Sequence, residues 1–121
     1  MGLDMYAYIT GMPVGAVDFD RPDDAEDIAY WRKHPNLHGW MERLYRAKGG
    51  AQESFNCTLL RLDAADLDAL EIAVIGNTLP DTTGFFFGES GPDRLEDDLA
   101  FIADARAALQ DGYFVYYDSW W

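Results

Sequence analysis

Positive charge is what this chain has least of. Nine Lys and Arg stand against 22 Asp and Glu, for a formal charge of −13. Phosphate binding is driven by Lys and Arg releasing counterions, so this balance argues against nucleic acid as a direct partner. Cysteine is scarcer still. The one thiol, Cys57, excludes an intrachain disulfide and fits a reducing, cytoplasmic compartment. No window approaches the ~18 continuous apolar residues of a membrane span, so no membrane association is expected. The N-terminal "MGLDMY" has no basic region followed by an apolar run, and Tyr6 stands where a myristoylation motif takes Ser or Thr, so neither a signal peptide nor that lipid is expected. Repeats, low-complexity runs and linkers are missing. So are the Walker A, G-x-G-x-x-G, H-E-x-x-H, C-x-x-C and G-x-S-x-G patterns, and with them any call for a cofactor or a metal.

What is there suits one folded domain spanning 1–121. Apolar residues make up 49% of the 121 and aromatics 15%, enough to bury a core despite the charge. "LDMYAYIT" alternates, with Leu3, Met5, Ala7 and Ile9 on one face and Asp4, Tyr6 and Tyr8 on the other, which reads as a strand. "DFDRPDDAED" reads as an acidic loop entering a first helix over Ala25–Lys33, capped by Asp23 or Asp24 and ended before Pro35. Asn36 then caps a second helix carrying Leu37, Trp40, Met41, Leu44 and Tyr45 on one face, stopped by Gly49 and Gly50.

"ESFNCTLLRL" reads as a second strand, and Asp63 caps a third helix ended by Gly76. Residues 76–91 form a long loop with three consecutive phenylalanines. A fourth helix from Pro92 carries Leu95, Leu99, Ile102 and Leu109 on one stripe and Asp93, Asp97, Asp104 and Asp111 on the opposite one. "YFVYYDSWW" is the last strand. The expected fold is α+β: a small, largely antiparallel three-stranded sheet with about four helices packed on one face, the two terminal strands paired.

The stretch 30–48, "YWRKHPNLHGWMERLYRAK", holds both histidines, two of the four tryptophans and five of the nine positive charges. From Arg32 to Lys48 it is +4, leaving −17 for the remainder. Two helices broken at Pro35 would bring Arg32, His34 and His38 together at the break, with Trp31 and Trp40 as walls. A planar guanidinium there suits carboxylate or phosphate, and His suits proton transfer near neutrality. The bland reading pairs Arg32 and His34 with Asp23, Asp24 or Asp27. The four-residue spacing of His34 and His38 would suit a metal on one helix, but Pro35 interrupts it, so no metal site is expected. Arg106 falls within the apolar stripe of the last helix. It either binds an anion or pairs with a carboxylate such as Asp4 or Asp118. Cys57 reads as a small buried hydrophobe rather than a nucleophile. The second aromatic face of the sheet is either an exposed binding surface or is covered by the loop at 18–24 or by "TTGFFFGES".

"MGLDMYAY", "WRKHPNLHGWME", "LPDTTGFFFG" and "DGYFVYYDSWW", in that order and over nearly the whole chain, resemble a family of small uncharacterised proteins of tailed phages and prophages. Members are often labelled phosphoglycerate kinase, but such a kinase needs two nucleotide-fold domains and a glycine-rich phosphate site, which this chain cannot supply. The resemblance implies a phage or prophage accessory protein acting in a bacterial cytoplasm.

Two functions are then expected as alternatives. One is a stoichiometric binding module for a basic surface on a host protein, of the kind that blocks a nucleic-acid-binding factor, with Asp93, Asp97, Asp104 and Asp111 as the acidic surface. The other is a small enzyme or ligand binder for an anionic molecule, drawing on Arg32, His34, His38, Trp40, Arg106, Tyr6 and Tyr8. An exposed acidic stripe over a buried central segment favours the first; a cleft holding Arg32 and His34 together favours the second.

Overall fold

Period-two alternation at the N-terminus becomes β1, Asp4–Thr10, with Met5 and Ala7 buried and Asp4, Tyr6 and Tyr8 on the other side. The structure is a computed structural model that describes residues 2–84 and 87–121. Six further elements follow: β2 Glu26–Arg32, α1 Pro35–Ala47, β3 Leu60–Leu62, α2 Ala64–Ile75, α3 Arg94–Gln110 and β4 Phe114–Trp120. The strands form one antiparallel sheet in the order β2-β1-β4-β3. The class is α+β as expected, with four strands and three helices among the described residues where three and about four were expected. The terminal strands pair along their full length, from Asp4 opposite Trp120 to Thr10 opposite Phe114.

The difference in element count lies at residues 25–33, where a strand replaces the expected helix. Nine residues are too few for a helix to stand alone, because nucleation is costly. Here they gain a partner instead: β1 runs alongside, with Met5 opposite Trp31 and Tyr6 opposite Tyr30. Asp24 caps no helix. Its carboxylate accepts hydrogen bonds from the Thr10 hydroxyl and, at 2.9 Å, from the Gly11 N–H, pinning the loop between β1 and β2. Lys33, at φ +54°, takes the left-handed conformation and turns the chain from strand to helix.

Pro35 opens α1 at a position where its missing N–H costs nothing. The cap position falls on His34 rather than Asn36, and His34 makes no side-chain capping bond. The Asn36 N–H is met from outside the helix, by Ser90 Oγ at 3.1 Å. Asp63 does cap α2, in a reciprocal box with Asp66. Of "ESFNCTLLRL" only Leu60–Leu62 is strand. Cys57, at φ +57°, is exposed and lies outside the sheet, against the expectation of a buried thiol.

The helices cover one face of the sheet. Leu3, Met5, Trp31, Leu60, Leu62, Val115 and Tyr117 from the sheet side meet Leu37, Met41 and Tyr45 of α1, Leu67 and Leu70 of α2, and Phe101, Ile102 and Ala105 of α3. Each fully buried large aliphatic among them contributes roughly 1.5–3 kcal/mol. Trp40 and Leu44 are half-buried at the margin of this core. The buried stripe of α3 runs through Asp98, Phe101, Ile102, Ala105 and Ala108, so Leu95, expected inside, is exposed.

Candidate functional site

The sheet face turned away from the helices carries a row of tyrosines. Tyr30, Tyr6, Tyr8 and Tyr116 follow one another across β2, β1 and β4, with ring centroids 5.3, 6.0 and 5.2 Å apart. The loop before β2 covers one end of the row. Phe19 sets its ring edge on Tyr116 at 5.4 Å, and Arg21 lies over Tyr8 while pairing with Asp118. The described part of the "TTGFFFGES" loop does not reach this face: Phe87 packs on His38 and Trp121 instead. Phe85 and Phe86 lie outside the described residues. The far end of the row stays open, with Tyr30 52% and Trp120 68% exposed. Arg32 stands here, 3.8 Å from Asp4, which also accepts the Tyr30 hydroxyl at 2.6 Å. That hydrogen bond raises the Tyr30 phenol above its ordinary value, and burial does the same for Tyr6 and Tyr8. All three are neutral phenols at physiological pH, able to stack and to donate.

His34 points the other way, into the helical layer. Its Nε2 lies 2.9 and 3.1 Å from the two carboxylate oxygens of Asp98, and its Nδ1 lies 2.6 Å from Ser90 Oγ. The Trp31 indole N–H also donates to Asp98, at 3.1 Å. His34 and Asp98 are 1% and 2% exposed. They line one wall of a cavity of about 250 Å3, with Ser90, Asn36, Asn77 and Arg94 around it.

His38 belongs to a third place. Its ring sits between Phe55 and Phe87, and its Nδ1 accepts the Tyr117 hydroxyl at 2.6 Å. Burial lowers its pKa to about 4, against an opposing bond to the Phe55 backbone, so it is neutral at pH 7. Burial also drives the Tyr117 phenol well up.

The expected convergence of Arg32, His34, His38 and Trp40 is therefore not what the fold builds, because strand geometry throws Arg32 to the open face while His34 and His38 enter the core at separate points. Neither Arg32 nor His34 pairs with Asp23, Asp24 or Asp27, since Arg32 lies by Asp4 and His34 by Asp98. Arg106 is engaged by neither Asp4 nor Asp118. It bridges α3 to α2, donating at 2.8 Å to Glu71 and at 2.8 Å to Asp68, and those two carboxylates raise its pKa further. Asp93, Asp97, Asp104 and Asp111 are all exposed along α3, and among the described residues none of the four is in a salt bridge.

Two residues of the interior cluster escaped the sequence reading. Asp98 had a signal, a carboxylate in step with Phe101, Ile102 and Ala105, but the small Ala105 and Ala108 hid that stripe behind the leucines. Ser90 had none, since its partner is 56 residues away. Among the described residues no group of three or more His, Cys, Asp or Glu is placed to hold a metal ion, and no helix is long and apolar enough to cross a membrane. Comparison of the chain with protein-family models, with curated proteins and with solved structures finds no match.

Proposed function

We propose that this chain is a stoichiometric binding module that docks on a basic protein surface, acting as a phage or prophage accessory protein on a host factor in the bacterial cytoplasm. The observation that carries the reading is the exposed row Asp93, Asp97, Asp104 and Asp111 on α3, none of them in a salt bridge among the described residues. Four carboxylates on one helix side, in a chain of net charge −13, set up a field that speeds encounter with a positive patch. The burial of Leu37, His38, Met41 and Tyr45 supports the same reading, since the central segment is spent on the core and offers no cleft that joins Arg32 to His34. A partner that itself binds nucleic acid would present the surface such a module fits, and would be blocked by it.

The test is association measured at two ionic strengths. The tagged chain and the Asp93→Asn, Asp97→Asn, Asp104→Asn, Asp111→Asn variant are passed through bacterial lysate, and the retained proteins are identified and re-measured in purified form. The reading expects a basic partner with 1:1 stoichiometry, an on-rate that falls several-fold between 50 and 300 mM salt as the Debye length shrinks to well under 10 Å, and a further loss in the neutralised variant. Equal binding by the neutralised variant would overturn it.

A further inference from the structure

We propose that Ser90, His34 and Asp98 form an acyl-transfer site, with Ser90 Oγ as the nucleophile toward small esters. This goes beyond the docking surface and is read on the chain alone. The three side chains come from separate parts of the fold: the loop before α3, the cap position of α1, and the second turn of α3. An ionised carboxylate only accepts hydrogen bonds, so the His34 nitrogen at 2.9 Å from Asp98, Nε2, carries the hydrogen. In the neutral ring Nδ1 is then the acceptor, and the Ser90 hydroxyl 2.6 Å away donates to it. Hydroxyl, imidazole and carboxylate thus stand in the order that activates a serine, with the third group orienting the base.

Ser90 keeps the means to react. Its Oγ accepts the Asn36 N–H with one lone pair, at 3.1 Å, and the other stays free. Ser90 is half-buried and lines the same cavity as His34 and Asp98. The cavity, about 250 Å3, is smaller than those that hold drug-sized ligands, which points to a short acyl group. Its walls are apolar at Val74 and Leu79 and polar at Asn77 and Arg94, the Arg94 Nη2 already donating to the Arg32 carbonyl.

The chemistry closes without an added reagent. Ser90 Oγ bonds to the ester carbonyl carbon as its proton passes to His34 Nδ1, and the carbonyl electron pair moves onto oxygen. When that pair returns, the bond to the leaving alcohol breaks and the alcohol oxygen takes the proton from Nδ1. Water then attacks the acyl-serine, giving its proton to Nδ1, and Ser90 regains a proton as the carboxylic acid departs. Asp98 is a positioning residue, which holds the imidazolium through Nε2–H and is itself held by Trp31.

The experiment incubates the folded wild-type chain with an alkyl fluorophosphonate and reads intact and peptide masses, alongside hydrolysis of p-nitrophenyl acetate. The expected result is one phosphonyl increment, located on Ser90, and at least ten-fold faster ester hydrolysis than in Ser90→Ala. Asp98→Asn should slow labelling at least ten-fold and move the pH midpoint of the labelling rate, which loss of a purely structural contact would not do. No increment on Ser90 in the wild-type chain, under conditions that fully label a serine esterase, overturns the proposal. So does an increment on another residue, or hydrolysis equal in wild type and Ser90→Ala.

Discussion

His34 and Asp98, 64 residues apart in sequence, meet in the interior with Nε2 at 2.9 Å from the carboxylate. The contact ties the start of α1 to α3, and the Trp31 indole adds the end of β2 to the same carboxylate. One side chain therefore fastens three elements.

Removing that carboxylate leaves two buried donors unpaired. At about 1–3 kcal/mol for each unsatisfied group, Asp98→Ala should lose roughly 2–6 kcal/mol. Asp98→Asn, which keeps one acceptor oxygen, should lose less. Urea midpoints at constant slope measure both. A loss below about 1 kcal/mol for the alanine variant would mean that the two donors find other partners.

His38 sets a pH dependence whose sign follows from its low pKa. Folded, it stays neutral down to about pH 4; unfolded, it takes a proton near 6.5. Between those values the unfolded chain binds more protons, so stability is full above pH 6.5 and falls as the pH drops toward 4. A displacement of that size corresponds to about 3 kcal/mol. His38→Gln, with no titrating ring, should flatten the stability profile between about pH 6.5 and 5.5, above most of the range where carboxylates titrate. An unchanged profile would place the acid sensitivity elsewhere.

The C-terminus is expected to be structural. The Trp121 indole donates to the Phe55 carbonyl at 2.8 Å and its ring stands edge-on to Phe87 at 5.1 Å, while its backbone N–H and carbonyl both pair with the Asn56 amide. Trp121→Ala keeps the backbone pair and loses the rest, a cost of about 1–3 kcal/mol for a half-buried ring. Deleting Ser119–Trp121 should cost more, because it also removes the Ser119 carbonyl that accepts the Cys57 N–H. Thermal melts that coincide with wild type for both variants would contradict the assignment.

Local signals in the sequence were strong enough for β1, α2 and the pairing of the terminal strands, because alternation, the Asp63 cap and matched aromatic ends are properties of short stretches. They fail where a partner decides. Glu26–Arg32 can satisfy its backbone as a helix or a strand, and β1 alongside selects the strand. That choice moves Arg32 to the opposite face from His34 and dissolves the expected pocket. The acidic row of α3 was legible because exposure of Asp residues needs no partner. The Ser90, His34 and Asp98 cluster was not, because each member looks ordinary until the fold brings the three together.

Gly39 offers a test of how tightly the long loop is held against α1. In an open helix interior, Gly→Ala gains about 1 kcal/mol. Here a Cβ at Gly39 would lie 1.9 Å from Thr82 Oγ1 and 2.9 Å from Thr82 Cβ, so something must shift. Thr82 has little room, since its N–H is held by the Asn36 side chain at 3.0 Å and its hydroxyl donates to the Pro80 carbonyl at 2.9 Å. Gly39→Ala should therefore destabilise by about 1–3 kcal/mol, the usual range for overpacking, despite the helix preference. Thr82→Gly in the same chain removes the obstructing atoms. The double variant should then recover stability relative to Gly39→Ala, giving a favourable coupling of at least about 1 kcal/mol in a double-mutant cycle. Additive effects in that cycle, or a stabilising Gly39→Ala, would show that the loop stands off the helix.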